Sequence, residues 1–291
     1  MFVSDNSMAS LKGYFNKELA DLFSEREIKM LLKYAVAERF QLDDTQLLLL
    51  NEMLLSESDL LYFRNVIKRL KHNEPAQYIF ENTHFYGLEL KVDSRALIPR
   101  PETEELVQWV KESYIENNPK ILDLCTGSGC IALALKSAFL NSEVLGIDVS
   151  TEAIALAREN AILTGLNVDF EESDVLNNDL KKYYRFDCWV SNPPYIPLMD
   201  KLNMKENVLL FEPHLALFVE NEDPLLFYRK IGEKAILNLI NEGYLFLEIH
   251  ELYAIPIIEL LQSQGFVNIQ LRKDLQGKDR MIRAQKPKFT T

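Results

Sequence analysis

The sequence predicts an α/β fold: a doubly wound, mainly parallel seven-stranded sheet with a small helical N-terminal domain. Up to residue 73 the chain has almost no Gly or Pro, and its apolar residues recur with helical spacing. After Asn118-Pro119, apolar strand-like segments alternate with helical ones, which is typical of parallel strands joined by crossover helices. A turn-rich stretch, Gln276 to Asp279, separates the last two strand-like segments and favours an antiparallel pair there.

The N-terminal helices carry their own start signals. Ser24 to Glu27 has the Ser-x-x-Glu form of a capping box and opens a predicted helix to Phe40. Ser56 to Asp59 opens another through Leu70, and the segment Thr45–Leu55 lies between them. Short amphipathic helices must bury their apolar faces against one another, so residues 1–73 are predicted to form a small helical bundle.

Residues 74–97 are predicted to be a linker containing a β-hairpin. Asn73-Glu74-Pro75 interrupts the helical pattern, and the stretch from Tyr86 to Val92 then alternates apolar and polar residues as a half-buried strand does. Residues 98–291 form the second predicted domain, in which Pro101 suits the first turn of a helix continuing to Tyr114.

Within the second domain the alternation of patterns predicts seven strands and the helices between them. The strands are Lys120–Leu124, Glu143–Ile147, Asp169–Glu171, Phe186–Ser191, Gly243–Ile249, Phe266–Arg272 and Arg280–Ala284. The helices are Gly129–Phe139, Thr151–Leu163, Pro224–Leu239 and Ala254–Gln264.

Composition narrows the class of function. There are 32 Lys and Arg against 44 Asp and Glu, a net charge of −12, which repels a phosphate backbone unless a local basic patch intervenes. A protein or small-molecule substrate is favoured, and direct nucleic-acid binding is not expected. No long uncharged apolar run could cross a bilayer, and the first residues lack a secretory pattern, so a cytoplasmic location is expected.

The cysteines and histidines do not predict a metal site. Cys125, Cys130 and Cys188 form no Cys-x-x-Cys pair, and the four histidines are far apart in sequence. We expect free thiols and no bound metal.

The segment from Asp123 to Gly129 predicts a cofactor loop. It follows the first strand of the second domain and opens a helix, so Gly127 and Gly129 let the backbone approach a ligand beside unpaired helical N–H groups. Asp148 ends the next strand, where a carboxylate accepts hydrogen bonds from ribose hydroxyls. Together they predict a nucleoside-bearing cofactor; the alternative is a tight turn with Asp148 as a helix cap.

The spacing of this loop separates two cofactors. A dinucleotide site of the NAD type has a third glycine where Ala132 stands. The pattern Asp-x-Cys-x-Gly-x-Gly instead resembles the first motif of the class I methyltransferases, with Cys125 in place of a glycine. The resemblance implies S-adenosyl-L-methionine, bound by residues Cys125, Thr126, Gly127, Ser128, Gly129 and Asp148.

Asn192-Pro193-Pro194-Tyr195 decides the predicted chemistry. It follows the fourth strand of the sheet, at the edge where parallel sheets bind ligands. An amide or exocyclic amine nitrogen is a poor nucleophile because its lone pair is delocalised. The Asn192 side-chain oxygen and the Pro193 carbonyl can accept its two N–H bonds and turn the lone pair towards a methyl group, while Tyr195 offers a flat wall. The alternative is a proline-stiffened turn.

The chain resembles the peptide chain release factor glutamine methyltransferases. The resemblance extends over Glu74–Ala284 and includes Glu74–Ile79, Phe85–Leu90, Ile98–Glu104, the cofactor loop, Asn192–Tyr195 and Glu212-Pro213. It implies that release factors are the substrate, that their Gly-Gly-Gln glutamine is held by Asn192 to Tyr195, and that the cofactor contacts Asn192 together with Asp174 and Val175 after the third strand. A monomer is expected.

Three other functions remain open at this point. An adenine-amino methyltransferase of DNA or RNA uses the same motif but needs a basic footprint. A ribosomal-protein glutamine methyltransferase shares both motif and cofactor. A cofactor-binding adaptor without catalytic activity is the third. Glu248 ends the fifth strand near the same edge, and no role is predicted for it beyond lining the cleft. The alternatives to a functional role are a helix cap for Asp174 and a solvated charge for Arg100.

Overall fold

The computed structural model describes residues 3, 5–42, 53–114 and 118–288. Two compact units are present: residues 1–81 with 205–211, and residues 82–204 with 212–291. The helices are α1 (Met8–Leu19), α2 (Glu25–Phe40), α3 (Glu57–Lys71), α4 (Ala76–Phe80), α5 (Pro101–Ser113), α6 (Cys130–Ala138), α7 (Thr151–Thr164), α8 (Glu206–Phe211), α9 (His214–Leu217), α10 (Leu226–Asn238) and α11 (Ala254–Ser263).

The strands are β1 (Asn82–Phe85), β2 (Leu88–Lys91), β3 (Ile121–Leu124), β4 (Val144–Asp148), β5 (Asp169–Glu172), β6 (Phe186–Ser191), β7 (Ile196–Pro197), β8 (Phe218–Val219), β9 (Leu239–Glu248), β10 (Val267–Lys273) and β11 (Asp279–Gln285). Short 3₁₀ turns occur at Leu180–Tyr183, Leu198–Asn203 and Glu251–Tyr253.

The first unit is a helical bundle around a core of its own. Its largest buried side chains include Leu11, Phe15, Phe63 and Leu70, contributed by α1 and α3. Both predicted capping boxes are confirmed. The side chains of Ser24 and Ser56 each accept a backbone N–H from three residues on, and the carboxylate of that acidic residue accepts the backbone N–H of the cap serine. Of the predicted Thr45–Leu55 segment, residues 45–52 lie outside the described residues.

The second unit is built on one seven-stranded sheet in the order β10-β11-β9-β6-β3-β4-β5. The five strands from β9 to β5 are parallel, and β11 runs antiparallel to both of its neighbours. The interior strand β3 is buried along its whole length, and separate apolar clusters cover the two faces of the sheet. The predicted doubly wound, mainly parallel sheet and its closing hairpin are confirmed.

The segment between the two predicted domains differs from the prediction in two ways. The strand predicted from Tyr86 to Val92 is present only as Leu88–Lys91, because Tyr86 and Gly87 both have positive φ and form the turn of the β1–β2 hairpin. The stretch directly after Pro75 is a short helix, α4, which sequence analysis missed. The hairpin itself is confirmed.

The region after β6 also contains structure that sequence analysis did not predict. Residues 196–219 form the short helices α8 and α9 and a small parallel pair, β7 with β8. Across residues 3, 5–42, 53–114 and 118–288, every helix falls short of the length and apolarity that a membrane span needs.

Candidate active site

One open cavity lies at the carboxyl ends of the parallel strands in the second unit. Its walls come from the loops after β3, β4, β5 and β6, the segment leading into α5, and residues near α9 and α10. The cavity has a volume of about 200 Å³ and is open to solvent. Parallel sheets expose ligands to several loops at this edge, so it is where a cofactor and a substrate can meet.

The cavity collects most of the residues predicted from the sequence. Its wall includes Cys125, Thr126, Gly127, Ser128, Asp148, Asp174, Val175, Asn192 and Pro194. Three further predicted site residues, Gly129, Pro193 and Tyr195, do not line the cavity. In the part of the chain that is described, no group of three or more His, Cys, Asp and Glu residues is placed to hold a metal ion.

The loop after β3 is held by the strand beside it. The Thr126 N–H donates to the Ile147 carbonyl at 3.0 Å, and its hydroxyl donates to Asp123 at 2.5 Å. Cys125 and Gly127 both adopt left-handed backbone conformations, with φ of 59° and 56°. Position 125 thus holds a non-glycine residue in a conformation that costs an L-residue about 1–2 kcal/mol, and the hydrogen bonds of Thr126 anchor the loop around it.

Gly129 is closely packed against side chains beneath the loop. Its φ is +81°, and a Cβ built there would lie 2.9 Å from Cζ of Phe170 and 3.1 Å from Cβ of Ala157. Gly146 on β4 faces the same ring, with a Cβ position 2.6 Å from two Phe170 ring carbons. The two glycines let the ring of Phe170 fill the space beneath the loop, which sets the height of the loop over the sheet.

Asp148 joins the loops after β3 and β4. One carboxylate oxygen accepts the Gly127 N–H at 2.9 Å and the other accepts the Ser150 N–H at 3.0 Å. Burial raises the pKa of the Asp148 carboxyl, and these backbone donors act in the opposite direction. The Asp148 carboxylate is therefore held by two backbone donors, and Asp148 still lines the cavity. A carboxylate that receives ribose hydroxyls would be placed in this way.

The loop after β5 supplies the opposite wall. Asp174 accepts the Leu176 N–H at 2.7 Å and a side-chain bond from Asn177 at 2.8 Å, so it shapes a turn as well as facing the cavity. Val175 is 5 % exposed and packs in the apolar cluster beneath the cavity. Val175 therefore gives this wall of the cavity an apolar side chain.

The Asn192-Pro193-Pro194-Tyr195 segment begins directly after β6. The Asn192 side-chain nitrogen donates to the Thr103 hydroxyl at 3.2 Å, and this is the hydrogen bond that its carboxamide makes among the described residues. Pro193 and Pro194 are buried. The Tyr195 hydroxyl donates to the buried carboxylate of Glu248 at 3.0 Å, and this hydrogen bond restrains the Tyr195 ring.

Sequence analysis missed the roles of two charged groups near the cavity. Arg100 lines the wall and pairs at 2.6 Å with Glu212, whose carboxylate is buried and also accepts the Ile98 N–H. The Arg100 charge is therefore held in place rather than solvated.

Thr103 also lines the wall and links Asn192 to Glu248, which is 1 % exposed. The signal available was Ile98–Glu104, a segment that the family resemblance had already singled out.

The fold and this cavity define a class I S-adenosylmethionine-dependent methyltransferase. The residues present fit the cofactor: a glycine loop, an anchored acid after β4, an apolar wall after β5 and a polar side chain after β6 converge on one space. A family model described as "Methyltransferase small domain" matches residues 101–209, and one described as "PrmC N-terminal domain" matches residues 16–80.

The chain belongs to the release factor glutamine methyltransferase family. It is 44% identical over 282 residues to the release factor glutamine methyltransferase of Flavobacterium psychrophilum, covering 94% of this chain and 98% of that protein. It is 36% identical to the enzyme of the same name from Bacteroides thetaiotaomicron, covering 96% and 100%. The fold matches a methyltransferase structure from Pyrococcus furiosus with a TM-score of 0.53 at 19% identity, covering 77% of this chain and 98% of that one.

Proposed function

We propose that this protein transfers the methyl group of S-adenosyl-L-methionine to the side-chain amide nitrogen of the glutamine in the Gly-Gly-Gln motif of peptide chain release factors. The observation that carries the proposal is the placement of Asn192. Asn192 lines the cavity, and the nitrogen of its carboxamide donates a hydrogen bond to the Thr103 hydroxyl. The amide oxygen is left to accept from a substrate. The names of the full-length relatives support the same substrate.

The reaction requires this chain to align a weak nucleophile. The Asn192 oxygen and the Pro193 carbonyl accept the two N–H bonds of the substrate carboxamide, which directs the nitrogen lone pair along one line. The bound cofactor supplies a sulfonium-activated methyl group. The nitrogen loses a proton to water once the new bond has begun to form, so no side chain is assigned as a general base.

The prolines keep the two acceptors in place. Pro193 and Pro194 have fixed φ, and Pro194 restricts Pro193 to extended conformations. Both are buried directly after β6, whose last residue, Ser191, bonds through its hydroxyl to the Leu124 carbonyl at 2.7 Å. A rigid acceptor pair avoids an entropic cost at each turnover.

The cofactor contacts belong to the same proposal. Cys125, Thr126, Gly127, Ser128, Asp148, Asp174 and Val175 hold S-adenosylmethionine, and Gly129 shapes the loop from below. Residues 1–73 dock the release factor, residues 74–97 link the two parts, and residues 98–291 carry the reaction. The protein acts as a monomer, in the cytoplasm where its substrate works, without binding nucleic acid directly; its net charge of −12 supports the last point.

The test is methylation of a purified release factor by wild-type protein and by Asn192→Ala. Labelled cofactor is supplied, and mass spectrometry maps the modified residue. The wild-type protein should label the Gly-Gly-Gln glutamine. Asn192→Ala should lose at least about 10- to 100-fold in kcat, because removing one buried acceptor costs about 1–3 kcal/mol. Cofactor affinity should be nearly unchanged.

Asn268→Gly is the matched control. Asn268 lies on β10, has φ of 50°, and glycine adopts that conformation without strain. This variant loses an asparagine side chain far along the chain from the motif and should keep full activity. Wild-type labelling of a ribosomal protein or an adenine base instead of the release factor would reject the proposed substrate. Full activity of Asn192→Ala would reject the proposed mechanism.

A further inference from the structure

A chain of three hydrogen-bonded side chains reaches from the buried end of β9 to the cavity. The Thr103 hydroxyl donates to Glu248 at 2.6 Å. The same oxygen accepts the side-chain N–H of Asn192 at 3.2 Å. Tyr195 donates its hydroxyl to the second oxygen of Glu248 at 3.0 Å. Both carboxylate oxygens of Glu248 therefore act as acceptors from groups that flank the reaction site.

The geometry of the sheet brings these groups together. Ser191 of β6 is opposite Leu247 of β9 in a parallel pair, so Asn192 and Glu248 occupy equivalent places at the ends of neighbouring strands. Thr103 is in the first turns of α5 and is 2 % exposed. The contact between Asn192 and Thr103 joins residues 89 apart in sequence, and that between Thr103 and Glu248 joins residues 145 apart.

A threonine hydroxyl has one proton, which fixes the donor-to-acceptor direction of the hydrogen bonds that link the three side chains. Glu248 is fully buried, and burial raises its pKa, while the hydrogen bonds from Thr103 and Tyr195 and the positive charge of Arg280 act in the opposite direction. The Thr103 hydroxyl uses its proton to donate a short hydrogen bond to this carboxylate. Only oxygen lone pairs are then left for Asn192, so Asn192 must present its NH₂ to Thr103.

We propose that Glu248 and Thr103 form a hydrogen-bond relay that sets the orientation of the Asn192 carboxamide, with its oxygen rather than its nitrogen available to the substrate. Glu248 is a positioning residue that acts through Thr103. The two ends of a carboxamide have nearly the same shape, so packing alone discriminates weakly between them. The reversed amide would present a donor to the N–H groups of the substrate and could not align them. The inference rests on the proposed function.

Three variants test the relay. Thr103→Val keeps the shape of the side chain but removes the acceptor for Asn192. Thr103→Ser keeps the hydroxyl. Glu248→Met keeps the approximate volume but removes the carboxylate, which frees the Thr103 proton to bind the Asn192 oxygen and reverse the amide. Asp187→Asn is the control, because Asp187 is a carboxylate at the opposite end of β6 that accepts only the Lys120 N–H from the described backbone.

Single-turnover methylation, cofactor affinity and thermal unfolding are measured for each variant. Thr103→Val and Glu248→Met should each lower the methyl-transfer rate on the order of 10- to 100-fold, the equivalent of one lost acceptor. Cofactor affinity should stay within about two-fold, and Thr103→Ser should restore the wild-type rate. Asp187→Asn should transfer methyl groups at the wild-type rate.

The double variant Thr103→Val with Glu248→Met separates the relay from a purely structural effect. If Glu248 acts through Thr103, the double variant should be no slower than Thr103→Val, because one step is already broken. Rate losses that multiply, or single variants with wild-type rates, would overturn the relay. An inactive Asn192→Ala beside fully active Thr103→Val and Glu248→Met rejects the relay alone. Failure of the wild-type protein to label the release factor rejects the proposed function.

Discussion

Replacing Gly129 by alanine should destabilise the protein through two separable effects. The left-handed backbone at φ +81° costs an alanine about 1–2 kcal/mol. The new Cβ would also lie 2.9 Å from the buried ring of Phe170, and an overpacked contact of this kind costs about 1–3 kcal/mol. The loss in free energy of unfolding should therefore be about 2–5 kcal/mol.

Gly127→Ala is the matched comparison for this prediction. Gly127 also has positive φ, +56°, but its Cβ would meet only the Cβ of Ala96, at 3.9 Å. The backbone strain is the same and the clash is missing, so the loss should be about 1–2 kcal/mol. Gly127 forms part of the cavity wall, and Gly129 does not. Gly127→Ala should thus weaken cofactor binding more than Gly129→Ala does, measured on folded protein.

Urea unfolding and calorimetric titration with S-adenosylmethionine measure the two effects. The double variant Gly129→Ala with Phe170→Leu removes the ring edge that the Cβ meets, so its stability loss should be smaller than the sum of the two single losses. Equal losses for Gly127→Ala and Gly129→Ala, or additive losses in the double variant, would refute the packing argument. The left-handed Cys125 shows that backbone strain alone is tolerated in this loop.

Two further predictions concern buried polar residues near the loop. Burial raises the pKa of the Asp123 carboxyl to about 7, above its ordinary 3.8, so its contribution to stability is present below pH 4 and lost as the pH rises through about 7. Wild-type protein should lose up to about 4 kcal/mol relative to Asp123→Asn between pH 4 and 8, measured by urea unfolding; a constant difference would contradict the assignment. Asn160 exchanges two hydrogen bonds with the backbone of Lys91 and donates a third to the Ser128 carbonyl. Asn160→Ala should cost roughly 2–4 kcal/mol and weaken cofactor binding, with Asn160→Asp losing only the two donated bonds; unchanged affinity in calorimetry would show that Ser128 needs no such support.

The main architecture was predictable because its determinants are local. Alternating apolar segments give the seven strands and their helices, and the crossover rule makes the connected strands parallel. Once the strands are parallel, every residue that directly follows a strand is placed at one edge. The segments Cys125–Ser128, Asp148, Asp174-Val175 and Asn192 meet in one cavity for that reason.

The errors in prediction have equally local causes. Tyr86 was assigned to a strand because the apolar alternation continues through it, whereas the turn depends on positive φ at a non-glycine residue. Helix α4 and the β7–β8 pair are only a few residues long. Elements this short obtain their stability from tertiary packing, which periodicity in the sequence does not report.

The sequence by itself determined the class of fold. It also identified the loop proposed to hold the cofactor and the motif proposed to hold the substrate amide, because both are short runs of residues whose geometry follows from their own backbone and their place after a strand. Only the tertiary structure decided the roles of Glu248, Thr103, Arg100 and Gly129. Each depends on a partner that is distant in sequence: Asn192 for Thr103, Glu212 for Arg100 and Phe170 for Gly129. Hydrogen bonds and close packing act over a few ångströms of space, and the separation of two residues along the chain does not indicate whether they make such contacts.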